Sequence, residues 1–256
     1  MADIIEYTIY GDDLQMVEIQ LDPDEGIRAE AGTMIYMEKG IDMQTGTGGG
    51  LFKGVQRMFT GESFFITTFL NTTANIKKVA FAAPYPGKIV ALDMTSLGGT
   101  FLCQKDSFLC AARGIEIEIA FSKKLGAGLF GGEGFILQRL VGDGLAFAHA
   151  GGTIIEKNLE AGEILSVDTG CLVAFSPTVD YDIEMVSGFT NALFGGEGLF
   201  LAKLTGPGKV FLQSLPLSRL ASRIATAANL TSGSTGEVKG AAGLGGQILG
   251  DIISGL

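Results

Sequence analysis

The chain has 256 residues, 46% of them hydrophobic and only 18% charged, with a formal net charge of −10. The apolar fraction supplies a full core and excludes a disordered chain, and the acidic balance opposes general binding to a phosphate backbone. The cysteines Cys103, Cys110 and Cys171 are odd in number, lack a C-x-x-C spacing and sit among apolar neighbours; they read as small core hydrophobes and not as a disulfide framework.

The opening residues, Met1-Ala2-Asp3-Ile4-Ile5-Glu6, show neither a signal-peptide pattern nor an Arg-rich transit segment, and no apolar run is long enough to cross a bilayer. The expectation is a soluble, cytoplasmic protein. Further along, similar strand pairs recur three times. Gly26–Ala29 leads to Thr33–Tyr36, Thr100–Cys103 to Ser107–Cys110, and Glu163–Ser166 to Gly170–Val173. Each pair is followed by apolar/acidic alternation, the period of a half-buried strand: Gly40-Ile41-Asp42-Met43, Ile115-Glu116-Ile117-Glu118-Ile119 and Tyr181-Asp182-Ile183-Glu184-Met185. Asp42, Glu116 and Asp182 are expected on the solvent face.

Next comes a phrase the chain uses three times at near-equal intervals. It reads Leu51-Phe52 … Gly61-Glu62-Ser63-Phe64-Phe65, then Leu129-Phe130-Gly131-Gly132-Glu133-Gly134-Phe135, then Leu193-Phe194-Gly195-Gly196-Glu197-Gly198-Leu199. An apolar strand follows each time, at Phe64–Phe69, Phe135–Leu140 and Leu199–Leu204. Such periodicity marks one structural unit used repeatedly. The chain therefore reads as three β units at 1–75, 76–141 and 142–206, a closing strand and helix at 207–230, and a Gly-rich tail at 231–256. Val210–Gln213 completes a sheet, and Pro216 opens a helix over about Leu217–Ala228, with Leu217, Leu220, Ala221 and Ile224 at helical spacing.

Matches to chemical motifs are weak. Gly126-Ala127-Gly128-Leu129-Phe130-Gly131 fits G-x-G-x-x-G in letters, but a strand is expected where a dinucleotide fold needs a helix. No Walker A sequence occurs. The single histidine, His149, is insufficient for the usual imidazole metal site, reads as a strand-end or turn residue, and has no G-x-S-x-G partner. Neither catalytic residues, nor a cofactor, nor a metal is expected. The repeated Glu62, Glu133 and Glu197 are the candidate structural or interface residues, because catalytic carboxylate pairs need differentiated environments and repetition makes environments alike.

The thrice-repeated phrase and the ending Leu215-Pro216-Leu217-Ser218-Arg219-Leu220 resemble the altered-inheritance-of-mitochondria family over about residues 1–225. The resemblance implies an all-β fold like that of the tryptophan RNA-binding attenuation protein: three compact β-sandwich units related to the double-stranded β-helix, plus a short C-terminal helix. It further implies a homotrimer forming a pseudo-ninefold ring, and it brings no catalytic residues. The leading expectation is a non-enzymatic oligomeric scaffold or interaction protein. The alternative is a small-ligand-binding module with sites between adjacent units. If the repeated glutamates tie turns to neighbouring units, E62Q, E133Q and E197Q should each lower stability or association by about 1–3 kcal/mol. Unfolding and association measured for each variant check this, with near-neutral values for all three as the contrary outcome.

Overall fold

The computed structural model describes residues 1–46, 66–123, 135–185 and 200–227. The three Gly-Glu phrases, with Glu62, Glu133 and Glu197, lie outside the described residues, as do the G-x-G-x-x-G match and the Gly-rich tail. The chain divides into two compact units, Met1–Leu220 and Ala221–Leu256.

The architecture is mostly β with one short helix. The first strands are β1 (Glu6–Tyr10), β2 (Met16–Leu21), β3 (Gly26–Glu30), β4 (Met34–Met37), β5 (Ile41–Gly46) and β6 (Ile66–Asn71). Six more follow: β7 (Lys77–Phe81), β8 (Gly87–Asp93), β9 (Thr100–Gln104), β10 (Phe108–Ala112), β11 (Glu116–Lys123) and β12 (Phe135–Val141). The last are β13 (Leu145–Gly151), β14 (Ile154–Leu159), β15 (Ile164–Asp168), β16 (Leu172–Phe175), β17 (Asp180–Met185), β18 (Phe200–Thr205) and β19 (Gly208–Gln213), before helix α1 (Leu217–Ala227).

These strands form four sheets. One runs β1-β2-β7-β4, the next β5-β6-β3-β10-β13-β8, the third β11-β12-β9-β16-β19-β14, and the last β15-β18-β17. Adding six to every strand number of the second sheet gives the third. The same shift carries β2-β7-β4 onto β8-β13-β10, and β9-β12-β11 onto β15-β18-β17. Each six-stranded sheet therefore draws one half from one stretch of chain and the other half from the next.

Side-chain alternation explains the faces. In β2 every second residue is buried: Val17, Ile19 and Leu21. In the acidic alternating strands Ile41, Ile117 and Ile183 are buried while Asp42, Glu116 and Asp182 are exposed. Strands β10 and β16 are buried along their whole length, as apolar runs closed in on both faces are. One apolar core gathers Phe81, Phe101, Phe108 and Phe147; a second gathers Phe135, Phe175, Leu204 and Val210. Cys103 and Cys110 are buried in the first, and Cys171 is half-buried; all three are free thiols.

The first two sheets are also joined by a buried amide. Asn71, at the end of β6 and fully buried, donates from Nδ2 to the carbonyls of Leu21 (3.0 Å), Asp22 (3.1 Å) and Asn75 (2.8 Å), and its Oδ1 accepts from Thr73 N at 3.0 Å. Removing it strands several backbone groups. Asn71→Ala should cost about 2–3 kcal/mol, measured by urea unfolding.

The helix starts after Pro216, whose carbonyl accepts from Arg219 N and Leu220 N and whose ring fixes φ for the first turn. Its apolar positions would ordinarily be covered, yet Leu217 and Ile224 are exposed.

Candidate interaction surface

Strand β4 stands at the edge of its sheet, and its four residues, Met34, Ile35, Tyr36 and Met37, are 36–50% exposed. Its counterparts under the six-strand shift, β10 and β16, have the same apolar character. They are buried because β3 lies along β10, with Cys110 opposite Ala29, and β9 lies along β16, with Ala174 opposite Cys103. No strand among the described residues takes that place beside β4. At the other end of the ladder β15, the counterpart of β3 and β9, has β18 on one side and, among the described residues, no strand on the other, and its Ile164 is exposed. An open apolar edge is a template for another strand.

A polar row lies beside the β4 edge. The Glu18 carboxylate accepts from Lys78 Nζ at 2.8 Å, from the Tyr10 hydroxyl at 3.4 Å and from the Tyr36 hydroxyl. The Lys78 bond, then that of Tyr36, holds the Glu18 carboxyl below its usual range, and the same carboxylate pushes the Tyr36 phenol up to about 12. The row fixes the Tyr36 ring across β4, β7 and β2. The shifted counterpart of Lys78–Glu18 is Lys209–Glu156 at 2.5 Å.

Registers also align two buried polar positions. Leu212 sits opposite Leu172 and Ala148 opposite Phe108, so the next residues, Gln213 and His149, occupy like places. Gln213 uses both ends: its Oε1 accepts from Gly151 N at 2.7 Å and its Nε2 donates to Gly170 O at 2.8 Å. His149 lies inside β13 with only 2% exposed, where a strand end or turn is the expectation from sequence. Its Nδ1 has no partner, and its ring meets Tyr85 edge-on at 4.6 Å. The Tyr85 hydroxyl instead donates to Asp106 O at 3.1 Å, the carbonyl matching Gly170 O. Gly87 allows this, because a Cβ there would fall 2.7 Å from the imidazole. Desolvation by burial lowers the His149 pKa to about 4. Gln213 and Tyr85 thus hold the matching carbonyls of Gly170 and Asp106.

The first five residues stitch three turns. Asp3 accepts from Gly26 N at 2.8 Å and Arg113 Nε at 2.9 Å, and Ala2 N donates to Asp143 Oδ1 at 2.6 Å, which holds that carboxyl below its ordinary range. An open cleft of about 450 Å³ lies here, lined by Met1–Ile5 with Asp93, Thr95, Asp143 and Leu145. Among the described residues no group of three or more His, Cys, Asp or Glu is arranged to hold a metal ion, and no helix is long and apolar enough to cross a membrane.

The residues singled out from sequence and those exposed on the edges are different sets. Glu62, Glu133 and Glu197 are outside the described residues. Met34–Met37 carried no separate signal, because their hydrophobicity matches that of Phe108–Ala112 and Leu172–Phe175. Only the missing neighbour sets them apart.

A mostly-β chain with one short helix, whose sheets share strands along the sequence, is the class that these observations define. The chain belongs to the family described as mitochondrial biogenesis AIM24, which matches residues 7–215. It is 32% identical over 214 residues to an uncharacterized protein of Streptococcus pyogenes, covering 80% of this chain and 84% of that one. A crystal structure of a Streptococcus pyogenes protein, solved as a structural-genomics target, superposes with a TM-score of 0.70 at 26% identity, covering 87% of this chain and 99% of that one.

The buried imidazole has a pH consequence. Its pKa falls to about 4 on folding from the ordinary 6.5, so folding favours the neutral ring. The stabilisation is complete above pH 6.5 and is lost as pH falls through 6.5 towards 4. Thermal unfolding followed from pH 8 to 4.5 should show this decline in the wild type and a flatter profile in His149→Gln.

Proposed function

We propose that the protein is a non-enzymatic scaffold of three successive six-strand repeats that assembles head to tail with copies of itself into a homotrimeric ring. The observation that carries this reading is the contrast between β10 and β16, buried beneath β3 and β9, and β4, exposed for want of the same neighbour. The strand type that covers the first two is free at the other end of the chain, as β15. Continuing the internal register sets Tyr36 opposite Val167 of a second copy, since Tyr36 matches Cys110 and Ala174, while Val167 matches Ala29 and Cys103. Each repeat is then a compact β-sandwich of the attenuation-protein type, with bounds near 75, 141 and 206.

The two edges differ, so the contact is heterologous and closes only as a ring. The number three comes from the family resemblance. Free Cys103, Cys110 and Cys171 favour a reducing compartment such as the cytoplasm. The polar groups buried between strands, Gln213 above all, support an architectural role over a chemical one.

Light scattering should return three times the chain mass, and a stable monomer at micromolar concentration would refute the ring. Oxidation of Tyr36→Cys/Val167→Cys should give covalent ladders ending at the trimer, with neither single variant doing so.

A further inference from the structure

Arg219 Nη2 meets Asp168 Oδ2 at 2.6 Å. A Cβ on Gly170 would stand 3.5 Å from the Pro216 ring. Gln213, three residues before Pro216, donates from Nε2 to Gly170 O at 2.8 Å. The Arg219 and Gln213 bonds thus tie the chain on either side of Pro216 to the turn that ends β15. At 100° per residue Leu217 and Arg219 are about 200° apart. Holding Arg219 against Asp168 therefore turns Leu217 away from the body of its own chain, where it is 43% exposed. A lone exposed leucine needs no explanation. This one follows directly on a segment anchored beside a free strand edge.

We infer that the first turn of the helix, Pro216–Leu220, is a clamp across the junction between copies, with Leu217 seated on the Met34–Met37 strand of a second copy. The inference rests on the head-to-tail reading above. With Tyr36 opposite Val167, the antiparallel direction carries Met34 two residues further, past Asp168 to the turn Thr169–Cys171. That is the turn on which Pro216 packs. Met34, at 36% exposed, Ile35, at 50%, and Leu217 of the anchored segment are all apolar surface in the chain alone. The clamp makes the junction differ from its internal counterparts. At the β9–β16 junction the carbonyl matching Gly170 O, that of Asp106, is held by Tyr85, and there no helix follows.

The test is Leu217→Glu in the full chain, with Leu217→Met as the conservative control. Association is measured by dilution-dependent light scattering and by the Tyr36→Cys/Val167→Cys cross-link. Chain stability is followed by urea unfolding below the dissociation concentration. Leu217→Glu should weaken association by about tenfold or more, the scale of a truncated apolar anchor, with unfolding unchanged, and Leu217→Met should assemble like the wild type. Wild-type assembly in Leu217→Glu would overturn the clamp while leaving the ring intact. A monomeric wild type would overturn both. Leu217-dependent binding to vesicles of anionic phospholipid, with assembly unaffected by the substitution, would assign the leucine to a lipid surface and overturn the clamp.

Discussion

Three of the four sheets among the described residues depend on the exchange of strands between successive stretches of chain. Strand β7 is hydrogen-bonded between β2 and β4, β13 between β8 and β10, and β19 between β14 and β16. The backbone groups of β4, β10 and β16 are satisfied on one side by a strand that comes later and, for β10 and β16, on the other by a strand that came earlier. Since buried backbone polar groups must be paired, the sheets hold one another in register, and the two cores lie between elements that are covalently distant.

Within that frame the side chains at matching positions have diverged. Where β19 has Gln213, which satisfies two backbone groups at once, β13 has His149, which satisfies neither through Nδ1, and Tyr85 serves the carbonyl instead. Where Lys78 and Glu18 pair on an exposed face, Lys209 and Glu156 repeat the pair, while the β13–β8 position is apolar with Leu145 and Ala91. The backbone ladder is the constant; the polar groups vary with what each sheet packs against.

Period-two alternation made the strands legible. The segments read as Thr33–Tyr36 and Phe135–Leu140 differ from the observed Met34–Met37 and Phe135–Val141 by one terminal residue or two, which is where hydrogen-bond criteria decide, and those read as Leu199–Leu204 and Leu217–Ala228 agree with Phe200–Thr205 and Leu217–Ala227 to within a residue over the described residues. Family membership was legible too, from a phrase and an ending. Partners were not. Alternation states which face of a strand is buried and is silent on which strand lies beside it. Both Met34-Ile35-Tyr36-Met37 and Phe108-Leu109-Cys110-Ala111 are apolar runs, and among the described residues only the second has a strand on each side. His149 was misplaced for a related reason. A single polar residue in Ala146–Ala150 resembles a break in a strand, whereas small neighbours and Gly87 make room for its ring inside one.

Strand exchange also sets the order in which the molecule can fold. The pairing of Val17 with Phe81 requires the whole of β3–β6 to be accommodated first, and that of Ala91 with Phe147 requires β9–β12. Local hairpins such as β5–β6 and β17–β18 can form as soon as their own residues are available, but the sheet of β5–β6 must wait for β8, β10 and β13 from further along before it is finished. Contacts of such separation slow folding, because loop closure is unfavourable until the distant pairing forms. During synthesis on the ribosome, β10 would emerge with β3 already available and β13 still unmade, so the nascent chain passes through a state with a half-covered apolar strand at its growing end, the stretch on which a chaperone would be expected to act.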